Sequence, residues 1–143
     1  MRSTLALCLA LCVGCAPSAP ARTETTPTVT PSSGLDLSAA DRTESDRALD
    51  ADVRPAEVLA FFRVAPGQRV ADLFAGGGYT TELLARAVGP SGQVFSQNNA
   101  FVIERFARAP WAERLARPVN ARVVRVEREL DSPIPPRPAT STR

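Results

Sequence analysis

A run of three consecutive glycines, placed between an apolar segment and an amphipathic one, constrains this chain more than any other feature. The run lies within Arg69–Tyr79: alternating apolar residues before the glycines predict a buried strand, and Thr80–Val88 after them predicts a helix. Strand, glycine turn and helix in this order are typical of nucleotide and cofactor sites in open α/β sheets. Glycine lets a ligand approach the backbone, and the free N–H groups of the following helical turn carry partial positive charge. Asp72, late on the strand, can accept a hydrogen bond from a ligand or hold the turn amides.

The segments on either side of this unit continue the same alternation of helices and strands. The predicted elements, in chain order, are a helix that starts at Pro55, the strand from Arg69, the helix Thr80–Val88, a strand Gln93–Gln97, a helix that starts after Asn98 or Asn99 and ends before Pro110, a short helix around Trp111 and Leu115, and a strand Ala121–Val126. This order implies parallel strands joined by right-handed crossovers. The predicted fold class is therefore α/β.

Composition excludes several kinds of site. The 143 residues allow one domain at most. The absence of histidine excludes every histidine-based catalytic group and zinc site, and no metal ligands are predicted. A net charge of +2, without a basic run that contains aromatic residues, argues against a nucleic-acid partner.

The N-terminus has the pattern of a bacterial lipoprotein signal. Arg2 precedes the apolar run Leu5–Val13, which is shorter than the roughly 20 residues that span a bilayer. We therefore predict a signal peptide at residues 1–14 and a lipid-modified Cys15, which anchors the chain in the cell envelope. The alternatives are an ordinary secretory signal or a start codon placed too early, the latter giving a cytoplasmic protein.

Three further boundaries follow from composition. The proline-rich segment up to Gly34 cannot bury enough apolar surface to fold, and Leu35–Asp52 is charged and only weakly periodic. Residues 15–53 are therefore predicted to be the anchor cysteine and a disordered linker, with a helix from Ser38 as the alternative for the charged part. The predicted domain covers residues 54–130. Residues 131–143 are predicted to be a disordered tail, because their prolines cannot donate to a sheet.

The central motif, Asp72-Leu-Phe-Ala-Gly-Gly-Gly, resembles the first motif of class I S-adenosylmethionine-dependent methyltransferases, in particular a bacterial family of predicted small methyltransferases. The resemblance covers Pro55 to about Val126 and implies a partial Rossmann-like fold. It implies S-adenosylmethionine as cofactor, with its methionine end along Ala75, Gly76, Gly77 and Gly78, contacted by Asp72. At the end of the second strand, Gln97 or Asn98 takes the place of the carboxylate that holds the ribose in that family.

Two other interpretations of the glycines stay open. A dinucleotide site would need a further glycine where Thr81 stands, which argues against NAD, and the glycines could also form a plain structural turn. The resemblance includes only strands 1 to 3, so the C-terminal half of the fold is expected to be missing and catalytic residues cannot be named. An open edge at the first strand then favours self-association.

Two functions are therefore predicted as alternatives. One is a truncated methyltransferase, weakly active or inactive, with an unknown acceptor that is a small molecule rather than nucleic acid. The other is a non-catalytic envelope lipoprotein that uses the half α/β fold as an interaction module.

Overall fold

The computed structural model describes residues 35–136, so the predicted signal peptide and Cys15 lie outside the described residues. The helices and strands of the described part, in chain order, are α1 Glu44–Val53, α2 Pro55–Phe61, β1 Arg69–Leu73, α3 Tyr79–Val88, β2 Gln93–Asn98, α4 Ala100–Val102, a π-helical segment Ile103–Ala107, α5 Arg108–Leu115, a 3-10 turn Pro118–Asn120 and β3 Val123–Glu127.

The three strands form one parallel sheet in the order β1-β2-β3. Asp72 of β1 pairs in register with Ser96 of β2, and Ser96 pairs with Arg125 of β3. Helix α3 connects the first two strands, and the α4–α5 region connects the second and third. This arrangement confirms the predicted α/β fold class and the strand order expected for the first half of a Rossmann-like sheet.

One face of the sheet is covered by helices, and the main core lies there. Its buried side chains come from α2 and the loop after it, from α3 and from β2: Leu59, Val64, Leu83, Leu84, Ala87, Val88 and Val94. A second cluster joins Ile103, Ala107 and Trp111. Trp111 is completely buried, which places it in the core.

The region after β2 differs from the prediction. The expected helix does not end before Pro110: a short α4 passes into a π-helical segment, and α5 then begins at Arg108. Pro110 is tolerated because it lies in the first turn of α5, where its missing N–H is not needed for a helical hydrogen bond. Of the apolar residues in this region, Ile103 is buried, whereas Phe101 and Phe106 are both largely exposed.

The folded part also begins earlier than residue 54. Helix α1 is capped by the Thr43 side chain, which accepts a hydrogen bond from the Asp46 N–H at 3.1 Å, and Asp46 is buried. Residues 35–53 therefore do not all belong to a linker. Their apolar content is low, and charged contacts described below hold them in place.

At the other end, residues 131–136 form no helix or strand, and Ile134 and Pro135 lie beside Ala71 and Phe95 on the second face of the sheet. The rest of the predicted tail, 137–143, lies outside the described residues. Between residues 35 and 136, no helix is long and apolar enough to cross a membrane.

Candidate functional site

The glycine turn lies at the carboxyl end of β1 and leads directly into α3. Phe74, Gly76 and Gly78 all have positive φ angles, of 54°, 54° and 82°. This conformation suits glycine but is strained for Phe74, whose side chain is half exposed. Hydrogen bonds to neighbouring residues must therefore stabilise the strained conformation of Phe74.

The end of β2 supplies that partner. Gln97 accepts a hydrogen bond from the Phe74 N–H through its side-chain oxygen at 3.1 Å and from the Ala75 N–H through its main-chain oxygen at 2.9 Å. Its side-chain nitrogen donates to the carbonyl of Arg128 at 2.5 Å. The next residue, Asn98, accepts from the Gly76 N–H at 2.9 Å and donates to the Gly76 carbonyl at 3.1 Å. Both side chains have 0% exposure.

These contacts revise the role that the resemblance implied for Gln97 and Asn98. The structure brings both next to the glycine turn, as expected, but their amide groups bond to the protein main chain and are buried. They shape the turn rather than present an amide to a ribose.

Some N–H and carbonyl groups of the turn bond within the protein, and the others remain available to a ligand. The Gly78 N–H donates to the Ala75 carbonyl at 2.8 Å, and the Gly78 carbonyl accepts from the Glu82 N–H at 3.0 Å. Among the described residues, the N–H groups of Gly77, Tyr79 and Thr80 donate no hydrogen bond within the protein. These three donors lie at the N-terminal end of α3, where a helix favours a negative charge.

Asp72 lies next to the turn, on the helix-covered face of β1. It accepts a hydrogen bond from the Thr81 hydroxyl at 2.5 Å; this hydroxyl is also 2.8 Å from that of Ser96, which accepts from the Trp111 indole N–H at 2.8 Å. Since each hydroxyl has one proton to donate, the series of hydrogen bonds runs in one direction, from Trp111 through Ser96 and Thr81 to Asp72. Burial raises the pKa of Asp72 above its ordinary value, although the hydrogen bonds from Thr81 oppose that shift.

On the other side, helix α5 holds the turn through Arg114. Its Nε donates to the Gly77 carbonyl at 3.0 Å. Its two terminal nitrogens donate to Asp46 of α1, at 2.9 and 2.7 Å, and one of them also donates to Glu82 of α3 at 2.9 Å. Burial raises the pKa of Asp46, but the hydrogen bonds from Arg114 and Thr43 outweigh it and hold that pKa far below the ordinary value.

Helix α1 reaches the turn a second time through Asp50. This carboxylate accepts from the Tyr79 hydroxyl at 2.6 Å and from both terminal nitrogens of Arg42. Burial and the neighbouring Asp50 raise the pKa of Tyr79, and the hydrogen bond from Arg42 lowers that of Asp50. Sequence reasoning missed Asp46 and Asp50, and the available signal was the helix-capping pattern Thr43-x-x-Asp46.

The three glycines have different surroundings. A Cβ on Gly76 would meet nothing within 4 Å, whereas one on Gly77 would lie 3.5 Å from Pro110. A Cβ on Gly78 would lie 3.1 Å from Arg114 Cδ and 3.3 Å from Trp111 Cδ1. Gly77 and Gly78 are therefore packed against α5, and Gly76 faces open space.

A cleft of about 410 Å³ lies at the carboxyl ends of β2 and β3. Its lining residues come from α4, the π-helical segment, the last residue of β3 and the segment that follows: Ala100, Ile103, Glu127, Arg128, Glu129, Asp131 and Ser132. Glu129 accepts a hydrogen bond from Asn99 at 3.2 Å. In residues 35–136, no cluster of three or more side chains is arranged to hold a metal ion.

Comparison with solved structures matches this chain to a SAM-dependent methyltransferase from Aquifex aeolicus, at 22% sequence identity and a TM-score of 0.43. The match covers 59% of this chain and 46% of that one, so it spans less than half of the length of the matched protein. No protein-family model matches the chain, and no curated protein is similar to it in sequence.

Proposed function

We propose that the glycine turn binds the amino-acid end of S-adenosylmethionine and that the chain is a methyltransferase. The observation that carries the proposal is the set of free N–H groups of Gly77, Tyr79 and Thr80 next to the carboxylate of Asp72. An amino-acid group has both charges, and each needs a partner: N–H donors suit its carboxylate, and a carboxylate suits its ammonium.

The space around the turn supports the same assignment. Gly76 has a positive φ angle and no atom near the position of a Cβ, so the backbone is open to a ligand at that residue. The buried amides of Gln97 and Asn98 keep this shape without contacting the ligand. The methionine end of the cofactor therefore fits the residues present.

The nucleoside end requires a different location from the one the resemblance implied. We assign it to the cleft of about 410 Å³ at the ends of β2 and β3, where Glu127 pairs in register with Asn98. Glu127 is exposed and lines this cleft, so its carboxylate can accept hydrogen bonds from ribose hydroxyls.

When bound, S-adenosylmethionine supplies an electrophilic methyl group, and its transfer depends mainly on the relative position of the two reactants. The residues of this chain bind and orient the cofactor: the α3 donors and Asp72 hold one end, and the cleft holds the other. We assign no acceptor group or general base among residues 35–136.

The test is titration calorimetry of the full chain with S-adenosylmethionine, in comparison with Asp72→Asn and Gly76→Ala. Asp72→Asn should weaken binding about tenfold or more, because it removes a charged partner but can still accept from Thr81. Gly89→Ala is the control: Gly89 also has a positive φ angle with open space around it, but it lies at the far end of α3. It should leave the dissociation constant unchanged. No binding by the parent at millimolar cofactor would rule out the proposal.

The alternative, an envelope lipoprotein that serves as an interaction module, is favoured by exposed apolar surface. Phe61 and Phe62 are 74% and 70% exposed. They line a groove of about 590 Å³ with Val53 and Val58. Among the described strands, β1 pairs only with β2, so its outer edge is free for a second copy of the chain.

Anchoring through Cys15 is part of this alternative. In bacteria, Cys15→Ser should stop labelling of the chain by fatty acid, and equal labelling of parent and variant would contradict an anchor at this residue. Self-association is measured separately by light scattering of the full chain over a range of concentrations, where a constant monomer mass would contradict it.

A further inference from the structure

Arg114 connects the glycine turn to two helices through one planar group. Its terminal nitrogens are fixed by carboxylates on both sides, Asp46 and Glu82, at distances between 2.7 and 2.9 Å. A guanidinium is rigid and flat, so fixing its two terminal nitrogens also fixes the direction of its Nε–H. That N–H donates to the Gly77 carbonyl at 3.0 Å.

The Gly77 carbonyl belongs to the peptide group that joins Gly77 to Gly78. The N–H of this peptide donates to Ala75, within the turn itself, at 2.8 Å. Arg114 is thus the contact that fixes the same peptide from outside the turn. Because the Tyr79 N–H follows this peptide directly, its direction depends on how the peptide is held.

The lack of a side chain at Gly78 makes this contact possible. A Cβ there would lie 3.1 Å from Arg114 Cδ, closer than most real contacts of this kind, so a larger residue would displace the arginine or the turn. Arg114 follows Gly78 by 36 residues in the sequence, and the fold brings its side chain so close that an added Cβ at Gly78 would crowd it.

We propose that Arg114 is a positioning residue for the cofactor site: it holds the Gly77–Gly78 peptide and so sets the direction of the free N–H donors at the start of α3. This inference rests on the proposed function for its effect on binding, but its effect on the turn does not depend on any ligand. Asp46 participates indirectly, because it orients the guanidinium from α1.

Arg117 offers a matched control within the same charge cluster. It donates to Glu82 at 2.8 Å and lies 3.5 Å from Asp46, so both arginines contact the same two carboxylates. Among the described residues, however, Arg117 donates no hydrogen bond to the glycine turn. A change from arginine to lysine keeps the positive charge at either position but removes the planar group.

The experiment compares Arg114→Lys with Arg117→Lys in the full chain. In the absence of ligand, the backbone amide NMR signals of Gly77, Gly78 and Tyr79 should move in Arg114→Lys and stay in place in Arg117→Lys. The dissociation constant for S-adenosylmethionine should rise about tenfold in the first variant and less than twofold in the second.

Unmoved turn signals in Arg114→Lys, or equal weakening of binding by both variants, would overturn the inference. If the parent binds no cofactor, the proposed function fails, and the ligand-free signals still decide the role of Arg114. If Arg114→Lys lowers the folded fraction, the second variant is Asp46→Asn, whose folded population gives the same signals, since it leaves Arg114 in place without its main orienting carboxylate. The same signals should then move by a smaller amount, and a turn unchanged in Asp46→Asn would count against the inference.

Discussion

Asn98 binds both polar groups of Gly76: its side-chain oxygen accepts from the Gly76 N–H at 2.9 Å, and its side-chain nitrogen donates to the Gly76 carbonyl at 3.1 Å. A carboxamide has the same donor and acceptor as a peptide group, so one side chain acts here as a neighbouring strand would. The side chain is completely buried, and no water competes for these bonds. The positive φ angle of Gly76 is therefore held by the end of β2.

The Asn98→Asp variant should be less stable than the parent by about 3 kcal/mol at neutral pH. Aspartate keeps an acceptor for the Gly76 N–H but places a buried negative charge against the Gly76 carbonyl. Ligand affinity should not improve, although a carboxylate is the residue that the family resemblance implies at this place. The measurement is urea unfolding followed by circular dichroism.

Asn99→Asp is the matched control for this change. The Asn99 side-chain oxygen caps α4 by accepting from the Val102 N–H at 3.0 Å, and aspartate caps a helix equally well. The bond that Asn99 donates to Glu129 is lost, but it is exposed, so stability should stay within about 1 kcal/mol of the parent. Equal losses in both variants would show that the Asn98–Gly76 contact has no special role.

Local patterns predicted the order of elements, and the tertiary contacts account for what they missed. The stop at Gly89-Pro90 and the apolar spacing of Leu83, Leu84, Ala87 and Val88 were sufficient for α3, since these signals come from neighbours in the chain. Trp111, next to Pro110 in α5, is completely buried, and the guanidinium of Arg125 in β3 lies 4.4 Å from its ring centroid. Periodicity cannot report such a contact.

The sequence predicted where the residues of the candidate site lie in the fold, but not all of their contacts. Asp72 and Gly76 are located as expected, because a strand and a helix joined by glycines have few possible geometries. Gln97 and Asn98 were expected to contact a ligand, and only the three-dimensional structure shows that the turn uses their hydrogen bonds. Asp46 lies on a helix with a weak apolar pattern, and its importance comes from an arginine 68 residues away.

Gly78→Ala should destabilise the chain more than Gly76→Ala does. Both positions have positive φ angles, which cost alanine about 1–2 kcal/mol. At Gly78 the added Cβ must also displace Arg114 or Trp111, whereas at Gly76 it enters open space. We expect a further loss of about 1–3 kcal/mol at Gly78, measured by urea unfolding. Equal losses would mean that α5 does not pack against the turn as described.

Stability should fall as the pH drops below about 4. The pKa values of Asp46 and Asp50 are lower in the folded chain than their ordinary value of 3.8, so the folded state binds protons less readily than the unfolded state. Their contribution is complete above 3.8 and is lost as the pH falls toward the folded values. Asp72 has the opposite sign, because burial raises its pKa and acid relieves that cost. The net slope is measured by urea unfolding at several pH values.

The Asp46→Asn variant should flatten this acid dependence and lower stability by about 3 kcal/mol at neutral pH, since Arg114 loses its main partner. Asp52→Asn, on the exposed side of the same helix, should leave neutral stability unchanged. An acid slope that is the same in Asp46→Asn and in the parent would contradict the role of the buried pair.

The last prediction concerns two neighbouring threonines with opposite surroundings. Thr81 is completely buried, and its hydroxyl donates a hydrogen bond to Asp72 and lies 2.8 Å from the Ser96 hydroxyl; Thr80 is exposed. Thr81→Val keeps the shape of the side chain but leaves Ser96 without an acceptor and Asp72 without its hydroxyl donor. Stability should fall by about 2–3 kcal/mol, and Thr80→Val should change it by less than about 0.5 kcal/mol. The single tryptophan provides a second measurement: the indole N–H signal of Trp111, which bonds to Ser96, should move in Thr81→Val and stay in Thr80→Val. An unmoved indole signal in Thr81→Val would contradict a continuous series of hydrogen bonds from Trp111 to Asp72.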